Sequence, residues 1–189
     1  MKIILGSASK ARQDILKNLG YDFEVMSANI DEKAIRIDDP YQLPLLLAQA
    51  KADYLKRQIK EPAILITSDS IVLFDGHVRE KPETEEQARE FLRSYSTMPV
   101  EVVTTVLVTN TKTDKSVQGI ETAFVYFHKI PDEVIDDLIK VGGVMYAAGG
   151  FIVEDPKISK YVMHVEGGRD TVMGLPKLLT KQLIGQLLL

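Results

Sequence analysis

Two serines and an arginine surround the predicted start of the first helix, in the segment Ser7-Ala8-Ser9-Lys10-Ala11-Arg12. The N-terminal end of a helix carries unpaired backbone N–H groups and a partial positive charge, so it already favours an anion. Lys10 and Arg12 add cations at this positive end, which is unfavourable unless an anion balances them. The segment therefore predicts an anion site, with Ser7, Ser9 and Arg12 as its donors.

Two carboxylates could hold a divalent cation and orient a water molecule. Asp69 follows the apolar run Ala63–Thr67, at the expected carboxyl end of a central strand, where open α/β sheets bind ligands. A turn or capping aspartate is the alternative interpretation of Asp69. Glu32 lies in the polar segment Asn29-Ile30-Asp31-Glu32-Lys33 and is a weak candidate by itself.

Two lysines add candidate phosphate contacts. Lys51 lies four residues after Leu47 and four before Leu55, so it shares the apolar stripe of its helix. A lysine that buries its stem and exposes its ammonium is the alternative. Lys81 precedes Pro82, which favours an extended backbone there, although a loop lysine is often simply solvated. The amides, cations and carboxylates together suit a polyphosphate with Mg²⁺.

The composition excludes several other classes of protein. The chain has 189 residues, 45% hydrophobic and 26% charged, which is typical of one soluble globular domain. A net charge of −4 argues against binding to a nucleic-acid polymer or an acidic membrane. The absence of cysteine excludes disulfides, thiolate metal sites and a cysteine nucleophile. With no apolar stretch long enough to span a bilayer, we expect a cytoplasmic protein.

Other catalytic motifs are missing. His77, His128 and His164 are far apart and lack the spacing of metal ligands. The chain has neither the GxGxxG dinucleotide motif nor the GxxxxGK[ST] phosphate loop, and it has no GxSxG nucleophile elbow.

The hydrophobic pattern predicts strands and helices that alternate in the first half of the chain, followed by clustered strands. It therefore predicts an α/β fold in which helices flank a mixed sheet. The predicted strands are Ile3–Ser7, Phe23–Ser27, Ala63–Thr67, Ile71–Phe74 after the polar Ser68-Asp69-Ser70, two strands within Val100–Lys129, and strands that begin in AAGGFIVED and YVMHVEGG. Five helices are predicted: one over about 9–19, one within 38–59, one after the Thr84–Gln87 capping box, and two at Pro131–Lys140 and Pro176–Leu189. In the second helix, one face is predicted to carry Leu43, Leu46, Leu47, Ala50, Tyr54 and Leu55.

Six segments, in order from Leu5 to Leu178, match the motifs of one known family: LGSASKARQDIL, IDE, LAQAKA, SDSIVLFDGHVREKPETEEQAREFL, AAGGFIVED and DTVMGLPKL. On these motifs the chain resembles the Maf-like nucleoside triphosphate pyrophosphatases, once described as septum-formation inhibitors. Each motif is weak alone, but the ordered combination is specific and spans nearly the whole sequence.

The resemblance implies a single Maf-like domain over residues 1–189, two-lobed, with a nucleotide cleft between the lobes and a homodimeric assembly. It implies hydrolysis of a nucleoside triphosphate to a monophosphate and pyrophosphate. Asp69 would activate the water, Ser7, Arg12, Lys51 and Lys81 would hold the triphosphate, and Glu32 with Asp69 would bind Mg²⁺, Mn²⁺ or Co²⁺. The predicted catalytic residues are Asp69, Lys51 and Lys81, and the predicted substrate-binding residues are Ser7, Ser9, Arg12, Ala11, Ser70 and Glu154.

Several positions depart from the family pattern and bear on the base. Ala11 replaces the first arginine of the family's pair, and Ser96–Val100 lack its usual basic residue. Ser70 matches neither the pyrimidine-type nor the methylguanosine-type members, whereas Glu154 matches the latter. A carboxylate accepts hydrogen bonds from guanine and favours the positive charge of an N7-methylated ring. We therefore expect a guanine-type or methylated substrate in preference to uracil or thymine.

Two rival functions come from other classes. A non-catalytic nucleotide-binding regulator of cell division would be expected to lose Asp69, Lys51 or Lys81, and all are present. A metal nuclease would need an acidic residue two positions before Lys81, where Arg79 stands, and would benefit from a basic surface.

Overall fold

The computed structural model describes residues 1–188. Its strands are β1 (Lys2–Leu5), β2 (Glu24–Val25), β3 (Ala63–Phe74), β4 (His77–Val78), β5 (Val100–Asn110), β6 (Lys115–Phe127) and β7 (Val162–Glu166). Its α-helices are α1 (Lys10–Asn18), α2 (Leu43–Lys56), α3 (Glu85–Ser94), α4 (Asp132–Val141), α5 (Arg169–Val172) and α6 (Lys177–Leu188). Short 3₁₀ helices occur at Glu32–Ala34, Pro40–Gln42, Gly143–Tyr146, Ala148–Gly150 and Ser159–Tyr161.

The strands form one mixed sheet in the order β2-β1-β3-β5-β6-β7, with β4 paired to β3. β1 is parallel to both β2 and β3, whereas the β3–β4 and β6–β7 pairs are antiparallel. This arrangement confirms the predicted α/β fold with a mixed sheet flanked by helices. Within residues 1–188, no helix combines the length and the apolar character needed to cross a membrane.

The chain divides into two compact units, and the first has a core on each face of its sheet. Unit 1 comprises Met1–Ser70, Val103–Glu121 and Arg169–Leu189. On one face, α1 and α6 pack on alternate residues of β1, β3 and β5, including Ile64, Ile66 and Val106. On the other face, α2 packs on the intervening residues, including Leu65 and Leu107. Strand alternation therefore divides unit 1 into three layers.

Unit 2 comprises Ile71–Val102 and Thr122–Gly168. Its interior contains an aromatic cluster in which the Tyr95 ring lies 5.5 to 5.6 Å from the rings of Phe74, Phe127 and Phe151. The Arg79 guanidinium lies 3.9 Å from the Phe74 ring centroid, a cation–π contact. Arg79 Nη1 also donates to the Phe91 carbonyl at 3.3 Å and to Ser94 Oγ at 2.7 Å, so the residue that follows β4 is fixed against α3.

The capping box predicted at Thr84–Gln87 is confirmed, and α1 has a cap that the sequence analysis did not predict. Ser9 is the N-cap of α1, and its side chain accepts from the Arg12 backbone N–H. Thr84 accepts from the Gln87 N–H at 3.1 Å, while the Gln87 side chain accepts from the Glu83 N–H at 2.7 Å. These contacts satisfy backbone donors that the helix itself leaves unpaired.

Asp69 does not lie at the end of a strand as predicted, because β3 continues through it to Phe74. The polar residues on either side of Asp69 suggested a strand end. Their hydroxyls are instead hydrogen-bonded within the protein, so the polar segment Ser68-Asp69-Ser70 can lie inside a sheet.

The predicted buried face of α2 is also partly wrong. Leu46 is 38% exposed, and Ala50 and Tyr54 are only half-buried, whereas Ala48 and Lys51 are buried. The buried face is turned toward Lys51 because the protein supplies ionic partners for its ammonium, described below.

The strand predicted in AAGGFIVED is wrong. Gly149 and Gly150 each have φ +67°, and a turn follows, in which the Asp155 side chain accepts from the Lys157 N–H at 2.8 Å. These turns prevent an extended ladder there. The predicted C-terminal helix is confirmed as far as Leu188, and Leu189 lies outside the described residues.

Candidate active site

β3 directs successive side chains to opposite faces of the sheet, and this alternation builds the site. The Thr67 hydroxyl donates to the Ala48 carbonyl of α2 at 2.9 Å, and Asp69 contacts Lys51 of the same helix. Ser70 lies on the opposite face, where its side chain contacts Arg12 of α1. One strand therefore presents the Asp69 carboxylate and the Thr67 hydroxyl to α2, and the Ser70 hydroxyl to Arg12 of α1.

Lys51 joins the two predicted carboxylates. Its Nζ donates a short hydrogen bond to Asp69 Oδ1 and lies 2.8 Å from Glu32 Oε1. Lys51 and Asp69 are each only 8% exposed, whereas the Glu32 side chain is 47% exposed. Lys51 is therefore not a snorkelling lysine. The structure brings together three residues that are distant in the sequence: Lys51 is 18 residues before Asp69 and 19 residues after Glu32.

The electrostatics of this cluster suit proton transfer. Burial raises the pKa of the Asp69 carboxyl, while the charges of Lys51 and Arg12 act in the opposite direction. Burial also lowers the pKa of the Arg12 guanidinium, against the effect of Asp69 and Glu32. A carboxylate with a raised pKa is a better proton acceptor than a solvated one, because its basicity is closer to that required at neutral pH.

Arg12 extends from α1 and contacts several parts of unit 1. Its Nε donates to the Gly174 carbonyl at 2.9 Å, and Nη1 donates to the Ser68 carbonyl at 2.9 Å and to Ser7 Oγ at 3.4 Å. Nη2 donates to Ser70 Oγ at 3.3 Å. These contacts place three of the predicted substrate-binding residues, Ser7, Ser70 and Arg12, side by side.

Lys10 is balanced within the protein. Its Nζ lies 2.6 Å from Asp14 Oδ1, one turn along the exposed side of α1. This surface ion pair accounts for one of the cations at the helix start without an anionic ligand. Arg12 is the cation directed inward, toward β3.

Thr104 completes a directional chain of hydrogen bonds that the sequence did not reveal. Its hydroxyl donates to the Thr171 carbonyl at 2.8 Å and lies 2.8 Å from Ser70 Oγ. Since the single Thr104 proton goes to a carbonyl, Ser70 must donate to Thr104 and can accept from Arg12. The Ser70 proton is therefore already committed. Thr104 lies in an unremarkable strand, so only the cross-strand pairing identifies it.

Gly174 is the second residue that the sequence analysis missed. Its carbonyl accepts from Arg12 and also from Ser68 Oγ, at 2.7 Å. A Cβ at this position would lie 2.8 Å from Arg12 Nε and 3.1 Å from Ser70 Oγ, and φ is +92°. Glycine therefore permits both the close approach and the left-handed backbone. The signal in the sequence that could have identified Gly174 is the motif Gly174-Leu175-Pro176.

Lys81 and Glu154 both belong to unit 2 and are exposed. The Gly149 N–H donates to the carbonyls of Arg79 and Glu80 at 3.0 Å, which joins the segment before Lys81 to the segment before Glu154. Pro82 is buried, so the chain around Lys81 is fixed although the lysine itself is exposed. Their roles stay predictions, as does that of the half-buried Ala11.

Two carboxylates, Asp69 and Glu32, are the side chains that could serve as donors to a metal ion here. No group of three or more histidine, cysteine or carboxylate side chains suited to a metal ion occurs in the described part of the chain. Mg²⁺ is often bound by one or two carboxylates together with substrate phosphates and water. Asp69 and Glu32, which already share one cation in Lys51, fit such a site when phosphate oxygens supply further ligands.

Comparison with known proteins gives the same family over almost all of the chain. The model of the family described as Maf-like protein matches residues 2–187. A 7-methyl-GTP pyrophosphatase of Dictyostelium discoideum is 48% identical over 191 residues, which cover 97% of this chain and 96% of the relative. A nucleoside triphosphate pyrophosphatase of Synechococcus sp. is 31% identical, with 98% and 93% covered. A dTTP/UTP pyrophosphatase of Alkaliphilus metalliredigens is 33% identical, with 93% and 90% covered.

Proposed function

Since the chain belongs to the Maf-like protein family, we propose that it hydrolyses a nucleoside triphosphate to a monophosphate and pyrophosphate. It is an enzyme of the acid-anhydride hydrolase class, as the names of its relatives support. The observation that carries the proposal is the buried Lys51–Asp69 pair with Glu32 beside it. A non-catalytic regulator would have no need to bury such a cluster.

Asp69 accepts the proton of the attacking water. The water oxygen forms a bond to the α-phosphorus, the bond from that phosphorus to the α–β bridging oxygen breaks, and pyrophosphate leaves with the electron pair. Lys51 and Arg12 supply positive charge where the phosphoryl oxygens gain negative charge. Ser7 and the start of α1 add neutral donors, and Lys81 is the further phosphate contact.

Asp69 and Glu32 would hold a divalent cation such as Mg²⁺, Mn²⁺ or Co²⁺. When bound, such an ion neutralises phosphate charge and polarises the phosphorus centre. Lys51 lies between the same carboxylates, so its single positive charge offsets part of their negative charge in the absence of substrate.

The preferred base is guanine, with 7-methyl-GTP as the best substrate. The relative named 7-methyl-GTP pyrophosphatase shares 48% identity, against 33% for the dTTP/UTP pyrophosphatase. Of the adjacent carboxylates Glu154 and Asp155, Asp155 is held in its turn because Oδ1 accepts from the Lys157 and Ile158 N–H groups at 2.8 and 3.3 Å. Glu154 is exposed and has no side-chain partner within residues 1–188. It is therefore the carboxylate available for a cationic, methylated ring.

The test is hydrolysis in ¹⁸O-labelled water with Mg²⁺, using 7-methyl-GTP, GTP, UTP and dTTP. Attack at the α-phosphorus places the label in the monophosphate and leaves pyrophosphate unlabelled. Asp69→Asn should lower kcat by about a thousandfold or more and leave nucleotide affinity within a fewfold, since it removes a group needed chiefly in the transition state. Orthophosphate as the primary product, or label in pyrophosphate, would contradict the proposal.

The homodimer and the cytoplasmic location implied by the family resemblance stay predictions. Light scattering of the purified chain tests the first. Imaging of a tagged chain in cells tests the second.

A further inference from the structure

The register of β3 against β5 can be read from contacts at two points. The Thr111 N–H donates to the Ala63 carbonyl at 3.0 Å, and the Ser70 and Thr104 hydroxyls are 2.8 Å apart. Seven steps forward along β3, from Ala63 to Ser70, correspond to seven steps backward from Thr111, the residue after β5, to Thr104. The strands are therefore antiparallel with no bulge between these points, and Asp69 lies directly opposite Thr105.

Thr105 shares a face of the sheet with Asp69. Leu107, two residues along β5, packs with Leu65 and with Ala48 of α2, on the side where Lys51 contacts Asp69. Residues opposite each other on one face have Cβ atoms about 4.5–5.5 Å apart. A threonine hydroxyl and an aspartate carboxylate in such a pair can form a hydrogen bond through rotation about the threonine χ1 angle.

Thr105 Oγ1 is fully buried and has no hydrogen-bond partner within residues 1–188. Such a group is costly, and its retention calls for an explanation. The Asp69 carboxylate also has an unused acceptor, since Lys51 contacts Oδ1 and no hydrogen bond to Oδ2 occurs in the described chain. A donor and an acceptor, each without a partner, thus lie across one strand pair.

We propose that Thr105 is a positioning residue for Asp69, and this inference rests on the proposed pyrophosphatase function. A bound triphosphate competes with Asp69 for the Lys51 ammonium. Asp69, which would also face the divalent cation, would then be a buried carboxylate without a hydrogen-bond donor to fix its orientation. The Thr105 hydroxyl donates to Oδ2 in that state, so that Oδ1 is held in place to accept the water proton.

Thr105→Val tests the inference because it replaces the hydroxyl with a methyl group of similar size. We expect kcat to fall about tenfold or more, as for loss of a hydrogen bond to a charged group, while KM changes little. The melting temperature should not fall, because the variant removes a buried hydroxyl that lacks a partner in the free protein. Thr105→Ser keeps the hydroxyl and should restore kcat.

Thr180→Val is the matched control. Thr180 Oγ1 is the other buried side-chain oxygen without a partner in the described residues, and it lies on α6 of the same unit. This variant should keep wild-type kcat. Wild-type kcat in Thr105→Val, or an equal loss in Thr180→Val, would overturn the role of Thr105 while leaving the pyrophosphatase intact. A wild-type chain that releases no pyrophosphate would overturn the proposed function and this inference with it.

Discussion

Lys51→Met should destabilise the protein, although methionine is apolar and similar in size. The substitution leaves the Asp69 carboxylate buried without its donor, at 8% exposure, whereas Glu32 can turn to solvent from its 47% exposed position. Removing one partner of a fully buried pair costs about 3–5 kcal/mol. Because Arg12 still acts on Asp69 and Glu32 is half exposed, we expect a loss of about 2–4 kcal/mol at pH 7.

The pH dependence of this loss identifies Asp69 as its source. Burial raises the pKa of the Asp69 carboxyl in the folded protein, and removing Lys51 raises it further. The folded state then binds this proton more tightly than the unfolded state does. The destabilisation should therefore be complete above the folded-state pKa and should diminish as the pH falls through it.

Urea unfolding followed by circular dichroism, with EDTA present, measures both effects. Lys56→Met is the matched control on the same helix, since the Lys56 side chain is 28% exposed and pairs with Asp114 at 2.8 Å. That more exposed pair should contribute only about 0–1 kcal/mol. Lys51→Met combined with Asp69→Asn should recover much of the stability. A Lys51→Met variant as stable and as active as the wild type would refute the reasoning and return Lys51 to a snorkelling role.

Two other substitutions test the remaining parts of the site. Gly174→Ala should raise KM for the triphosphate and lower the free energy of unfolding by about 1–3 kcal/mol, because the new Cβ would lie 2.8 Å from Arg12 Nε and the backbone φ is +92°. An unchanged KM and an unchanged unfolding midpoint would contradict this. Glu154→Gln should lower the ratio of kcat/KM for 7-methyl-GTP over GTP, because it removes the negative charge opposite the methylated ring; UTP as the best wild-type substrate, with no change in the variant, would disprove the assignment.

Asp69 and Lys51 could be identified from the sequence as candidate site residues, because each violates a simple local pattern. An aspartate that follows a buried apolar run and a lysine within an apolar stripe both need partners, and each is the other's partner. The position of Asp69 within β3 could not be predicted, since the neighbouring serines are typical of a strand end. The Ser68 hydroxyl donates to the backbone carbonyls of Thr105 and Gly174, and the Ser70 hydroxyl bonds to the Thr104 hydroxyl. All three partners are distant in the sequence. Such pairing depends on strand register, which local patterns do not determine.

That register also changes how Arg12 should be interpreted. A shift of one residue along β3 would exchange its two faces, moving Asp69 away from Lys51 and placing a serine hydroxyl there instead. Arg12 opposes this shift, because it donates to the Ser68 carbonyl and to Ser70 Oγ on β3 while Nε is bound to the Gly174 carbonyl. Loss of Arg12 would therefore loosen the strand that presents Asp69 as well as remove a charge from the anion site. Arg12→Lys keeps the charge but cannot make these forked contacts, so it separates the two roles.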